Sequence, residues 1–171
     1  MNVVAVSNEM GEVTNAELLR AAERVHRQLR PHLREDYVGR MKEVLAGGAE
    51  MAVVLVDGEV AGVTVFRVLE KTHSGRDLYC DDLVTDEARR STGVGRAMMA
   101  YMEKVACERS CDTFSLDSGC QRRQAHKFYF REGMTISSFR FDKSVGNPVS
   151  DPVPVGGSPV SDPVPVGGSP R

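Results

Sequence analysis

Leu78-Tyr79-Cys80-Asp81-Asp82-Leu83-Val84-Thr85, followed shortly by Arg90-Ser91-Thr92-Gly93-Val94-Gly95-Arg96, decides how this chain is read. The first stretch reads as an apolar strand. The second is a glycine-bearing turn. Beyond it Val94, Met98, Tyr101 and Val105 recur at helical spacing, which gives the next helix one apolar stripe. Gly93 and Gly95 lack a Cβ, so a ligand can come close to their backbone N–H groups. Those groups stand at a helix N-terminus, where unsatisfied donors and the helix dipole favour an anion. Arg90 and Arg96 add fixed positive charge. The turn is shaped for a phosphate or pyrophosphate. A tight strand-to-helix connection, with glycines for geometry alone, is the plain alternative.

Two well-known phosphate loops do not fit. No Gly-Lys-Ser/Thr follows, so this is not a Walker loop. The third glycine of the dinucleotide fingerprint is missing, because Ala97 and Met98 stand beyond Arg96. Arg-x-x-Gly-x-Gly after a strand instead resembles the pyrophosphate loop of the GNAT superfamily of acyl-CoA-dependent N-acyltransferases. A second match, Ala125-His126-Lys127-Phe128-Tyr129-Phe130-Arg131-Glu132-Gly133-Met134, looks like the superfamily's helix that carries a tyrosine and ends at a glycine. With Ser138-Phe139-Arg140-Phe141 after it, this segment is similar to small bacterial acetyltransferases such as the aminoalkylphosphonate group. The resemblance runs from about Ala16 to Asp142. It implies an α/β (α+β) fold with a mixed, mostly antiparallel central sheet flanked by about four helices.

A chain of 171 residues is long enough for one domain with a substantial core. A net charge of −2 gives no pull toward nucleic acid. No apolar run is long enough to span a membrane, and no basic segment followed by an apolar stretch marks a secretory signal. Cys80, Cys107, Cys111 and Cys120 form no Cys-x-x-Cys pair and have no histidine at metal-ligand spacing. They read as free thiols of a cytoplasmic protein without a metal site.

Along the chain, Val3 to Val6 is a candidate first strand. Thr14-Asn15-Ala16-Glu17 reads as a capping box opening a helix with Leu18, Ala22, Val25 and Leu29 inward. Leu33, Tyr37, Met41, Val44 and Leu45 form a second helix, stopped by Gly47-Gly48. Met51 to Val56 and Glu59 to Leu69 are strands joined by Asp57-Gly58, a strong hairpin signal. Glu70 to Arg76 reads as a polar loop. Thr113 to Asp117 is a strand, Arg122 to Arg131 a helix, and Met134 to Phe141 a last strand closing the sheet. The domain covers residues 1–145. In residues 146–171 the composition shifts to Pro, Gly and Val, and the eleven-residue stretch Pro148 to Ser158 recurs identically as Pro159 to Ser169. So much proline and glycine without an aromatic residue predicts an extended tail.

Acyl transfer from a thioester to an amine must deprotonate the amine, stabilise an oxyanion and protonate the leaving thiolate. The resemblance assigns Tyr129 as the acid. A phenol, with an ordinary pKa of about 10, carries its proton at neutral pH. Core packing beside Phe128 and Phe130 is the alternative. Asp82 is the candidate base or amine-orienting group, with Asp81 or water in reserve. On a regular strand Asp81 and Asp82 point to opposite faces. The resemblance implies that Leu83, Val84 and Thr85 meet the cofactor through main-chain groups, and that Arg90, Ser91, Thr92, Gly93, Val94, Gly95 and Arg96 hold its pyrophosphate. Ser91 stands where a glycine is common, and Arg122 where many members have a cofactor-contacting asparagine. Ser91 and Thr92 either donate to phosphate oxygens or cap the helix. His126, three residues before Tyr129, is a proton relay or a half-exposed helix residue. His26, His32 and His73 read as surface residues.

Arg20, Arg24, Arg27, Arg30 and Arg34 crowd the region that shapes the acceptor pocket in this fold. They form either a solvated face or a site for an acidic group on the acceptor. The resulting expectation is direct transfer of an acetyl group from acetyl-CoA to a primary amine of a small molecule. No cysteine is paired with a histidine at motif spacing, which argues against a covalent intermediate. Acetylation of a protein N-terminus or lysine, and a non-catalytic acyl-CoA-sensing module, are the rivals. Terminal strands that pair across subunits in such folds make a homodimer an expectation.

Overall fold

The computed structural model describes residues 1–143 and Val145, so the repeated tail lies outside the described residues. The chain falls into two compact units, Met1–Asp117 and a second beginning at Ser118. The first unit runs β1 (Asn2–Ala5), α1 (Ala16–Leu29), α2 (Tyr37–Ala46), β2 (Glu50–Val56), β3 (Glu59–Lys71), β4 (Gly75–Thr85), a 3-10 turn (Glu87–Arg89), α3 (Val94–Glu108) and β5 (Thr113–Leu116). The strands lie in chain order, antiparallel from β1 to β4, with β5 parallel to β4. The mixed, mostly antiparallel sheet is as the sequence implies. Asp57-Gly58 makes the two-residue turn, both residues having positive φ.

α1 and α2 cover one sheet face. Their Leu19, Ala22, Val25, Tyr37, Met41 and Leu45 pack on Val53, Val63, Val65 and Val84. α3 covers the other, where Val94 and Met98 meet Val54 and Ala61. β3 is buried continuously from Val60 to Phe66 because helices lie on both sides of it.

Several local expectations change. Asn15, not Thr14, caps α1: its side chain accepts from Leu18 N at 3.0 Å, while Thr14 N donates to Val6 O at 2.9 Å. The inward stripe is therefore Leu19, Ala22, Val25 and His26. α2 begins after Leu33, with Asp36 accepting from Gly39 N at 2.9 Å. Glu70 to Arg76 is the tip of a hairpin rather than a loop, since Glu70 pairs Arg76 and Lys71 pairs Gly75. Polar side chains face water there, and the backbone ladder does not depend on them. Met134 to Phe141 forms no strand, and Ile136, Phe139 and Phe141 are exposed. Its apolar positions change phase between Ile136 and Phe139, so no single strand face collects them.

The second unit contains α4 (Arg123–Arg131). It ends in a Schellman motif: Gly133 N donates to Phe130 O at 3.2 Å and Met134 N to Tyr129 O at 3.0 Å. Gly133 has φ 86, which is why a glycine follows this helix. No described helix is long and apolar enough to cross a membrane.

Candidate active site

The glycine loop starts from Asp86, a buried carboxylate. Its backbone N–H donates to Ala61 O at 2.8 Å. Its side chain pairs with Arg24 Nη2 at 2.7 Å and accepts from Gln28 Nε2 and Ala88 N, both at 3.2 Å. The Arg24 guanidinium bond, above all, holds this carboxyl below the usual range. α1 and β3 thus fix where the loop begins. Ser91 at φ 63 and Gly93 at φ 93 then fold the backbone through two left-handed positions. Thr92 Oγ1 donates back to Arg89 O at 2.6 Å, so this hydroxyl caps no helix. Gly93 is the N-cap of α3 and offers no side chain to the first-turn donors. The N–H groups of Val94 and Gly95 have no acceptor within the helix. Arg90, Ser91, Thr92, Gly93 and Arg96 are exposed. An uncapped helix start, a turned backbone and two arginines fit a pyrophosphate.

β4 supplies the neighbouring surface. β5 pairs only with Asp77 to Cys80. Asp82 to Thr85 keep β3 on one edge, and among the described residues no strand pairs with the other. The backbone edge of Leu83, Val84 and Thr85 is therefore left open by β5, as a main-chain site for a cofactor arm requires. Where the pairing with β5 stops, β4 also bulges. Asp82 opposes Val65 and Cys80 opposes Phe66, which leaves Asp81 as the extra residue. Strict alternation fails there. The Asp81 carboxylate accepts from Arg67 Nε at 2.7 Å, and Arg67 shares the β3 face of Val65, which is also the face of Asp82. The two carboxylates come to one side, not to opposite sides.

Asp82 is held from two directions. His26 Nε2 lies 2.9 Å from its Oδ2, and Arg30 Nε lies 2.7 Å from its Oδ1. Burial alone would raise its pKa; the His26 bond and the Arg30 charge outweigh that and hold the carboxyl below its usual range. His26 is 1% exposed, which corrects its reading as a surface residue. The signal was present: Leu19, Ala22, His26 and Leu29 follow an i, i+3, i+7, i+10 pattern, and His26 sits on that stripe. Tyr37, Asp86 and Gly62 were likewise not singled out by motif.

The arginine-rich segment is largely self-engaged. Arg24 pairs with Asp86, Arg30 with Asp82 and Arg34 with Glu43. Arg27 joins Glu23 and donates to the carbonyls of Leu33, Arg34 and Glu35. It clasps the connection between α1 and α2.

Tyr129 and Arg122 belong to the second unit. Tyr129 is half-buried on α4, its ring 5.5 Å from that of Phe128. Arg122 stands at the N-cap of α4 without capping it by its side chain. His126 is half-buried on the same helix. The four cysteines are free thiols.

The model of the Acetyltransferase (GNAT) family matches residues 15–134. An uncharacterized N-acetyltransferase of Bacillus subtilis, YhdJ, is 40% identical over 74 residues, 43% of this chain and 52% of that protein. The aminoalkylphosphonate N-acetyltransferase of Salmonella typhimurium is 30% identical over 94 residues, 54% of this chain and 61% of that one. The chain thus spans only half to three-fifths of the length of these relatives. The crystal structure of a ribosomal-protein-alanine N-acetyltransferase from Brucella melitensis superposes with a TM-score of 0.68 at 16% identity, covering 85% of this chain and 99% of that one. That likeness concerns the fold. The family match covers well over half of the sequence, and the chain belongs to the acetyltransferase (GNAT) family.

Proposed function

We propose that this protein transfers an acetyl group from acetyl-CoA directly to a primary amine of a small molecule. The observation that carries the reading is the uncapped start of α3, which follows a β4 whose end β5 leaves open. Residues 90–96 would hold the pyrophosphate, with Arg122 as a further contact. Leu83, Val84 and Thr85 would offer main-chain groups to the pantetheine arm and the oxyanion.

The amine nitrogen attacks the thioester carbonyl carbon, the carbon–sulfur bond breaks, and the thiolate takes a proton from the Tyr129 hydroxyl. A carboxylate held below its usual pKa is a poor base toward an ammonium. This favours Asp82 as the group that orients the amine, with water receiving the proton. The relative that acts on aminoalkylphosphonates supports a small acceptor. The free thiols support a reducing compartment, the cytoplasm. A homodimer belongs to the same reading and is checked by light scattering.

The test is thiol release from acetyl-CoA across a panel of small amines, amine-bearing acids and peptides. Release driven by small amines supports the proposal. Release driven only by peptides would replace it with protein acetylation. CoA binding without release on any of them would replace it with a sensing module.

A further inference from the structure

A buried polar chain runs from the helical layer to β4. Tyr37 Oη lies 3.0 Å from His26 Nδ1, and His26 Nε2 lies 2.9 Å from Asp82 Oδ2. His26 and Tyr37 are 1% and 2% exposed, among Leu19, Val25, Met41 and Leu45. Arg30, one helical turn beyond His26, grips Asp82 Oδ1 with Nε at 2.7 Å and Nη2 at 2.5 Å. Its Nη2 also donates to the carbonyl of Asp81 at 3.3 Å, across the bulge.

The direction of these bonds follows from donor chemistry. An ionised carboxylate only accepts, so His26 Nε2 donates to Asp82. With the ring in its neutral form, Nδ1 accepts from the Tyr37 hydroxyl. Burial, the largest influence, pushes the Tyr37 phenol well above its ordinary value, so it keeps its proton at neutral pH. The chain ends inside the core and has no outlet for a proton. It orients rather than conducts.

A leucine at this place would satisfy the core at less desolvation cost. What sets His26 apart is the far end of its chain, because the Asp82 side chain retains 13% exposure. A carboxylate has about four acceptor positions. Arg30 covers Oδ1 with a hydrogen bond from Nε and an ion-pair contact from Nη2, while the hydrogen bond to Oδ2 comes from His26. The remaining position is on Oδ2, the oxygen that His26 holds.

The geometry points to His26, steadied by Tyr37, as a positioning residue that aims the remaining acceptor position of Asp82 at the incoming amine. This rests on the acetyltransferase reading above. It goes beyond that reading in giving the first helix a part in catalysis through Asp82.

The test compares His26→Leu, His26→Gln and Tyr37→Phe with wild type, reading kcat and KM for amine and acetyl-CoA alongside Tm. Leucine fills the space without a donor; glutamine restores an N–H toward Asp82. Losing a hydrogen bond to a charged group predicts that His26→Leu lowers kcat/KM for the amine about tenfold or more. His26→Gln should recover most of that loss, and KM for acetyl-CoA should stay near wild type in both. Tyr37→Phe keeps the ring and should lower kcat/KM for the amine about threefold, a neutral hydrogen bond being weaker. A folded His26→Leu with wild-type kcat/KM overturns the assignment, as does a folded His26→Gln impaired as much as the leucine variant. Should His26→Leu fail to fold, an unaltered Tyr37→Phe overturns it. Wild type that releases no thiol with any amine overturns the acetyltransferase reading itself, and this assignment with it.

Discussion

Gly62 on β3 and Val94 at the start of α3 touch through a missing side chain. A Cβ on Gly62 would stand 2.6 Å from Val94 Cγ1 and 3.0 Å from Met98 Cε. The glycine therefore lets the helix that follows the glycine-bearing turn lie against the sheet. Gly62→Val should displace the first turn of α3 and cost about 1–3 kcal/mol of stability, the usual range for overpacking. It should also weaken CoA binding at temperatures where the variant is still folded. Denaturant unfolding and calorimetric CoA titration check the two effects.

Charge on the loop should act on cofactor binding rather than on the chemical step. Arg90→Gln and Arg96→Gln are each expected to raise KM for acetyl-CoA about tenfold, the loss of one charge-assisted contact, while kcat stays near wild type. Steady-state kinetics at low salt check this. The difference from wild type should shrink as added salt screens the contact.

The end of α4 gives a third expectation. Gly133→Ala places a Cβ at φ 86 and should destabilise by about 1–2 kcal/mol. Tyr129→Phe keeps the ring and removes only the hydroxyl. In the folded variant it should lower kcat about 100-fold, the scale of general acid catalysis. Thermal unfolding and kinetics on both variants separate helix termination from chemistry.

Acid should weaken the fold through Asp77 and Asp82. Asp77 is 1% exposed, pairs with Lys71 and accepts from Thr113 Oγ1 and Ser115 Oγ at 2.7 Å each. Burial opposes its ionisation, yet the bonds from Lys71, Ser115 and Thr113 prevail and lower its pKa; Asp82 is lowered in the same sense. A carboxyl with a folded pKa below its unfolded value of about 4 contributes stability above that pH and loses it as pH falls through the folded value. Tm should therefore drop below about pH 4. Asp77→Asn should melt lower than wild type at pH 7, with the gap closing in acid.

Much of the fold was legible because backbone signals are local. Asp57-Gly58 marks its hairpin, the Val94–Met98–Val105 stripe its helix, and Gly133 its helix end. The loop was legible for the same reason, being one continuous stretch. What was not legible depends on register and on distant partners. The bulge at Asp81 cannot be seen in a run of residues that alternates acceptably, yet it turns Asp81 and Asp82 to one face. His26 was misread because its partners, Tyr37 and Asp82, lie 11 and 56 residues away. Met134 to Phe141 carried enough β-formers to suggest a strand, but the phase change after Ile136 denies it a consistent face.

The most direct test of the account is amine-dependent thiol release from acetyl-CoA, with wild type beside Tyr129→Phe. Release that requires a small amine and falls steeply in the folded Tyr129→Phe protein is the predicted result. Failure of wild type to bind CoA at all would contradict the reading of residues 90–96 as a pyrophosphate site, and the proposed activity with it.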